Sequence, residues 1–202
     1  MIRKTFAILD YGIGNYNSIA GIISRIGHIP IVTSNKMDIR NSNFIILPGV
    51  GTYPESKNKL RTNNLINLII QQSKIGKPIL GICLGMQLLA SFSEEIKLTK
   101  GLNIIPGKIK KNKFNHHHIG WNKLIFLDKK SCFSSLDKKE FYFQHNYSFN
   151  GSKKHINAYS NEKNTKIPSI IQKENTVGVQ FHPEKSQESG LLFFKEFIDI
   201  FK

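Results

Sequence analysis

Only two cysteines, Cys83 and Cys132, occur in 202 residues, too few for a disulfide framework or a paired Cys-x-x-Cys metal site. Acidic residues are scarce too: 14 Asp and Glu against 29 Lys and Arg leave a formal net charge of +15. The lysines are spread along the chain, with no basic block carrying interleaved aromatics, so the excess does not read as a nucleic-acid surface. Pairs such as Lys110-Lys111, Lys129-Lys130 and Lys153-Lys154 read as solvated loops. No apolar stretch is long enough to cross a bilayer, and no secretion-signal pattern marks the amino terminus. A cytoplasmic location, where a free thiol stays reduced, is the expectation. Repeats and long linkers are lacking, and 40% hydrophobic content supports one full core, so residues 1–202 read as one domain.

What is present is an alternation of apolar runs and helical periods. Thr5–Leu9, Ile29–Val32, Phe44–Leu47, Pro78–Ile82 and Val177–Phe181 read as central strands. Between and after them, Ile19, Ile22, Ile23 and Ile26 fall at i, i+3, i+4 and i+7, as do Phe194, Phe197, Ile198 and Phe201. From Ile104 to Phe181 the pattern turns to strands and turns. The expected fold is α/β: one domain with a central, mostly parallel sheet flanked by helices, and a mixed or antiparallel portion in the carboxyl-terminal half.

At one strand-to-helix junction stands Gly81-Ile82-Cys83-Leu84-Gly85-Met86-Gln87. Glycines two before and two after a cysteine permit the strained turn that presents a nucleophile, with a helix expected over Leu84–Ala90. The first N–H groups of that helix would face the sulfur and favour its anionic form. Near the far end, Val177-Gly178-Val179-Gln180-Phe181-His182-Pro183-Glu184 is a strand closing on His182, a residue suited to take and return a proton. Glu184 can fix its tautomer. Either motif alone also suits a tight turn beside a structural cysteine, or a solvated strand end. Together they point to a cysteine-dependent site.

Pro48-Gly49-Val50-Gly51 follows another buried strand. Two glycines there leave peptide planes free to turn an N–H toward a developing oxyanion, with the N–H of Leu84 as second donor, although an ordinary turn would satisfy the same residues. Gln87, one turn beyond Cys83, points the same way as the nucleophile and suits substrate binding. Two other motifs carry less. Gly12-x-Gly14 is half a dinucleotide fingerprint, with Asn17 where a third glycine belongs. His116, His117 and His118 alternate faces in an extended segment and cannot converge on one ion, so no metal site is expected. Cys132, beside Phe133, reads as a small hydrophobe.

The elbow and the Gln-Phe-His-Pro-Glu segment resemble the class I, triad-type glutamine amidotransferases. Asp10-Tyr11-Gly12-Ile13-Gly14-Asn15, the Pro-Gly-Val-Gly loop, His118-Ile119-Gly120-Trp121-Asn122, Tyr142-Phe143-Gln144-His145-Asn146-Tyr147 and Pro183-Glu184-Lys185-Ser186 narrow the resemblance to the glutaminase subunits of imidazole glycerol phosphate synthase, over essentially the full chain. The resemblance implies a Cys83–His182–Glu184 triad hydrolysing L-glutamine to glutamate and ammonia, with no cofactor and no metal. It implies glutamine contacts from His145, Asn146 and Tyr147 besides Gln87. It further implies a heterodimer with a separate synthase (cyclase) barrel subunit, approached through Asn15, Trp121, Tyr142 and Lys185. There the ammonia would join a ribulosyl formimino aminoimidazole carboxamide nucleotide, giving imidazole glycerol phosphate and AICAR in histidine biosynthesis. The oxyanion loop of such subunits is expected to reorient when the partner is occupied, so that in isolation they are poor glutaminases. Three positions depart from the pattern: His117 replaces a proline, Ile119 a methionine, and Asn146 a small hydroxyl residue, which puts a side-chain contact to glutamine there in doubt. A paralogue feeding another synthase, such as one in surface-sugar amination, or a non-catalytic regulatory subunit, would share many of these features.

Overall fold

The computed structural model describes residues 2–113, 117–128 and 130–201. The chain runs β1 (Thr5–Leu9), α1 (Tyr16–Arg25), β2 (Ile29–Thr33), α2 (Lys36–Asn41), β3 (Phe44–Leu47), α3 (Tyr53–Thr62), α4 (Ile66–Lys74), β4 (Ile79–Ile82) and α5 (Leu84–Leu88). It continues through β5 (Phe92–Ser93), β6 (Thr99–Lys100), β7 (Gly107–Lys111), β8 (His118–Lys123), β9 (Ile125–Phe126), β10 (Glu140–His145), β11 (Tyr147–Gly151), β12 (Ile156–Glu162), β13 (Thr165–Lys173) and β14 (Thr176–Val179), ending in α6 (Gln187–Ile200).

Among the described residues the main sheet has eight strands in the order β2-β1-β3-β4-β14-β13-β12-β9. The pairings from β2 to β14 are parallel, and those from β14 to β9 are antiparallel. The expected α/β fold with a mixed sheet is therefore the one observed. The strands β1, β3, β4 and β14 are buried almost throughout, which is why they read as continuous apolar runs rather than alternating ones. On one face Phe6, Phe44 and Ile46 meet α1 and the phenylalanines of α6; on the other Leu47, Ile79 and Ile45 meet α3 and α4. Two smaller sheets, β10-β8 and β11-β7-β5-β6, lie beyond the carboxyl ends of the parallel strands and wall the site.

Two expected boundaries differ. The helix after Cys83 ends at Leu88 rather than Ala90, because the carbonyls of Leu88, Leu89 and Ala90 accept from Leu102, Ile104 and Asn103 N–H instead of continuing the helix. The last central strand ends at Val179, not Phe181. Gln180 N–H still bonds Ser169, but His182 N–H crosses to the Tyr142 carbonyl at 2.8 Å, and Phe181 turns into a cluster with Phe141, Phe143 and Phe193. Cys132, read as a small hydrophobe, is exposed. Phe133 takes the interior position, and the thiol of Cys132 donates to Gln172 at the surface.

One close approach holds the centre together. A Cβ at Gly85 would lie 1.8 Å from the Leu47 carbonyl oxygen, so the start of α5 rests directly on the end of β3. A Cβ at Gly81 or at Gly49 would likewise fall 2.8 to 3.1 Å from atoms of residues 84–86. Gly85→Ala must push α5 off β3, and the expected cost is about 3 kcal/mol of folding free energy, read as a lowered midpoint in urea denaturation.

Candidate active site

Cys83 has φ +53° and ψ −109°, a conformation that costs a non-glycine residue of order 1–3 kcal/mol and persists only where the surroundings dictate it. They do so here: Cys83 N–H is bonded to Val179 O of the neighbouring β14 at 2.8 Å, and its carbonyl receives Gln87 N–H at 3.2 Å. The glycine contacts fill the space beneath the turn. The sulfur is left facing a pocket of about 260 Å³, on the scale of one amino acid, bounded by Val50, Gly51, Leu84, Gln87, Glu95, Gln144, the 145–147 segment and His182.

β14 lies beside β4 in the sheet, so the chain leaving β14 emerges next to the elbow. This brings His182 to Cys83. Its Nδ1 is 2.8 Å from Glu184 Oε1, leaving Nε2 for the sulfur, and the two side chains are 4% and 1% exposed. Burial works against a charged imidazole here. The Cys83 sulfur and the Glu184 carboxylate, both bonded to the ring, outweigh it and push the His182 pKa up to about 10.

The 144–147 segment forms the opposite wall. Cys83 Sγ donates to the Gln144 carbonyl at 3.7 Å, and Gln87 Nε2 donates to the Tyr147 carbonyl at 3.0 Å. His145 is braced from behind. Its Nδ1 lies 2.8 Å from the Tyr147 carbonyl, which can only accept, so Nδ1 carries the proton. Nε2 must then accept from His118 Nδ1 at 2.8 Å, and His118 Nε2 faces Asn122 Nδ2 at 2.5 Å and Glu162 at 3.6 Å. Burial, with His118 alongside, pushes the His145 pKa down to about 3. His145 is therefore a neutral strut. Asn146 lines the pocket.

Trp121, Tyr142 and Lys185 form a column on the rim: Trp121 meets Tyr142 edge-on at 6.0 Å, and the Lys185 ammonium sits 5.6 Å over the Tyr142 ring. Tyr142 also lies 6.4 Å from the His182 ring. Trp121 is 45% exposed and Ile119 58%, so the pocket mouth has an apolar border. Asn15 opens α1, which packs against the Pro183–Lys185 turn; it is not among the residues lining the pocket. Of the three consecutive histidines, His117 borders the pocket and His118 is buried in the network above, while His116 lies outside the described residues. Among those described, no group of three His, Cys, Asp or Glu is placed to hold a metal ion, and no helix is long and apolar enough to cross a membrane.

Sequence reasoning passed over four contributors. Glu95 enters the pocket from the loop after β5, its carboxylate anchored by Tyr53 N–H at 2.9 Å and its pKa raised by burial. Gln180 is wholly buried and reaches the sulfur. The Gln144 backbone carbonyl cannot be read from side-chain chemistry. Tyr11, buried in the first loop, donates its hydroxyl to the Pro48 carbonyl at 2.5 Å and so anchors the start of the Pro-Gly-Val-Gly loop. Gly51 itself has φ +86°, and Val50 is 42% exposed at the pocket edge.

A mixed α/β sheet with a cysteine elbow and an adjacent His-x-Glu is the arrangement of the class I glutamine amidotransferases, and the model of that family, glutamine amidotransferase class-I, matches residues 7–200. Solved structures agree on the fold. PurLQS from Thermotoga maritima superposes with a TM-score of 0.80 over 100% of both chains at 17% identity. A glutamine amidotransferase from Thermotoga maritima gives 0.68 over 99% of this chain and 86% of that one at 16% identity. Nearer in sequence, imidazole glycerol phosphate synthase subunit HisH 2 of Vibrio vulnificus is 45% identical over 95% of this chain and 92% of its own length. Its counterpart in Lactococcus lactis, subunit HisH, is 39% identical over 97% and 98%. The chain belongs to this HisH family of synthase subunits.

The two pocket histidines make opposite demands on pH. The pKa of His182 is raised on folding, so its contribution to stability is present below its ordinary pKa of about 6.5 and is lost as pH rises toward 10. That of His145 is lowered, so its contribution is present above about 6.5 and is lost as pH falls toward 3. Urea midpoints measured against pH are expected to show Glu184→Gln reducing the alkaline loss and His145→Asn reducing the acid loss, each relative to the parent.

Proposed function

We propose that this protein is the glutaminase half of an imidazole glycerol phosphate synthase, hydrolysing L-glutamine and passing the ammonia to a separate cyclase barrel in histidine biosynthesis. The observation that carries the reading is the strained Cys83 elbow beside a His182–Glu184 pair, in a chain 45% identical to a HisH subunit.

In this reading the Cys83 sulfur gives its proton to His182 Nε2 and attacks the side-chain amide carbon of glutamine. The oxyanion is met by the Leu84 N–H and by an N–H of the Gly49-Val50-Gly51 loop. His182 then gives the proton to the departing ammonia, and water, deprotonated by the same imidazole, hydrolyses the γ-glutamyl thioester. Glu184 keeps the imidazole oriented and balances its charge. Among the described residues that line the pocket Glu95 is the one carboxylate, and it pairs with the α-ammonium of the substrate. Gln87 and the 145–147 segment hold its amide and backbone groups. The apolar border with Trp121, Tyr142 and Lys185 is the docking face for the barrel, which places the pocket mouth against the partner and gives ammonia a dry exit. Tyr11 fixes the first peptide of the oxyanion loop, so reorientation on partner binding falls to the peptides around Val50, and without its partner the protein is a poor glutaminase. The site lies in the cytoplasm, assembled as a heterodimer.

Glutamate release, measured with and without the barrel partner and its nucleotide, tests this reading. Cys83→Ala is expected to lose at least about a thousandfold in kcat. Activity that survives the substitution removes Cys83 as the nucleophile, and equal rates with and without the partner remove the gating. Glu95→Gln is expected to raise KM for glutamine about tenfold or more with a smaller change in kcat.

A further inference from the structure

Gln180 lies 97 positions from Cys83 in sequence, yet its side-chain nitrogen stands 3.8 Å from the sulfur. Amide oxygen and nitrogen are told apart by their neighbours, and here the neighbours decide. The Tyr147 carbonyl can only accept, so the atom of Gln87 facing it, at 3.0 Å, is the nitrogen. The same nitrogen faces the Gln180 side chain at 3.1 Å, so the atom of Gln180 presented to it is the oxygen. The Gln180 nitrogen must then point at Cys83. Gln180 has no exposed surface and Gln87 only 4%, so water cannot readily substitute for any partner in this series of bonds.

We propose that Gln180 is a further member of the catalytic apparatus: an N–H donor to the Cys83 sulfur that stabilises it once its proton has gone to His182, with Gln87 as the positioning residue that sets the direction of the Gln180 amide. The sulfur lies between two opposed groups. The Gln144 carbonyl at 3.7 Å accepts from the thiol and repels an anion. The Gln180 N–H does the reverse, and its bond becomes charge-assisted when the proton leaves. With both hydrogens of Gln87 used, that side chain has only its oxygen left for the pocket, an acceptor for the amide N–H of glutamine that the carboxylate of glutamate cannot match.

The inference rests on Cys83 being the nucleophile, and its test reads the sulfur directly. In a Cys132→Ser background, which removes the exposed second thiol, Gln180→Met keeps the volume and loses the donor. Alkylation of Cys83 by iodoacetamide at neutral pH is expected to slow about tenfold, its pH–rate profile moving to alkaline pH, while kcat for glutamine in the complex with the barrel partner falls more than KM rises. A folded Gln180→Met protein with the parent's alkylation profile overturns the proposal, even if its activity is low. If the variant does not fold, the unsubstituted side chain decides: the amide 15N signal of Gln180 in the Cys132→Ser protein is expected to move on alkylation of Cys83, and a signal that stays in place overturns it. Failure of the nucleophile reading looks different, since Cys83→Ala would then retain activity.

Discussion

The Leu47 carbonyl pressed against the Cα of Gly85 is the contact on which the site depends. It sets the end of β3, and with it the Pro-Gly-Val-Gly loop, at van der Waals distance from the first turn of α5. No side chain intervenes at that point, so the spacing is governed by backbone atoms, the least compressible part of a close-packed interior. Tyr11 adds a second restraint, on the carbonyl of the next residue, Pro48. The positive φ of Cys83 carries the chain from β4 into α5 beside this contact. Strain at Cys83 is thus a product of packing in the core, maintained by the buried strands on either side.

A second pattern is the use of burial to opposite ends. His182 and His145 both lie in the pocket wall and both are nearly inaccessible, yet one is pushed toward its charged form and the other toward its neutral form. The difference is in their partners. His182 has an acidic group on each ring nitrogen, whereas His145 has a backbone carbonyl on one and a second imidazole on the other. Desolvation alone would discharge both. The Cys83 sulfur and the buried carboxylate of Glu184, one oxygen of which is committed to His182, tip the balance for that one of the two histidines.

The central sheet was legible because parallel strands buried on both faces write themselves as unbroken apolar runs, and because Ile19 to Ile26 and Phe194 to Phe201 keep a helical period. The elbow and the histidine beside it were legible because a strained turn admits few residues and a histidine before proline after an apolar strand is distinctive. What escaped notice depends on tertiary position. Gln180 looked like one more strand residue until β14 was seen to end at Val179, releasing the amide toward the sulfur. Glu95 lies in a loop with no pattern to mark it, and Tyr11 acts through a hydroxyl 37 positions from its acceptor. The outward turn of Cys132 followed from Phe133, whose larger apolar area wins the one interior position available to the pair.

Because β4 and β14 are adjacent in the sheet, the strand ends that lead to the sulfur and to the imidazole are held one interstrand spacing apart, about 4.8 Å, whatever the excursion of chain that joins them. Ladder bonds from Thr176 to Val179 against Ile79 to Ile82 would hold the two reactive groups in place even if that excursion were severed at an exposed turn. The placement of the elbow beside the end of β14 is in this sense a property of two short neighbouring ribbons, and insertions, nicks or rewired connections elsewhere leave it free to persist through divergence.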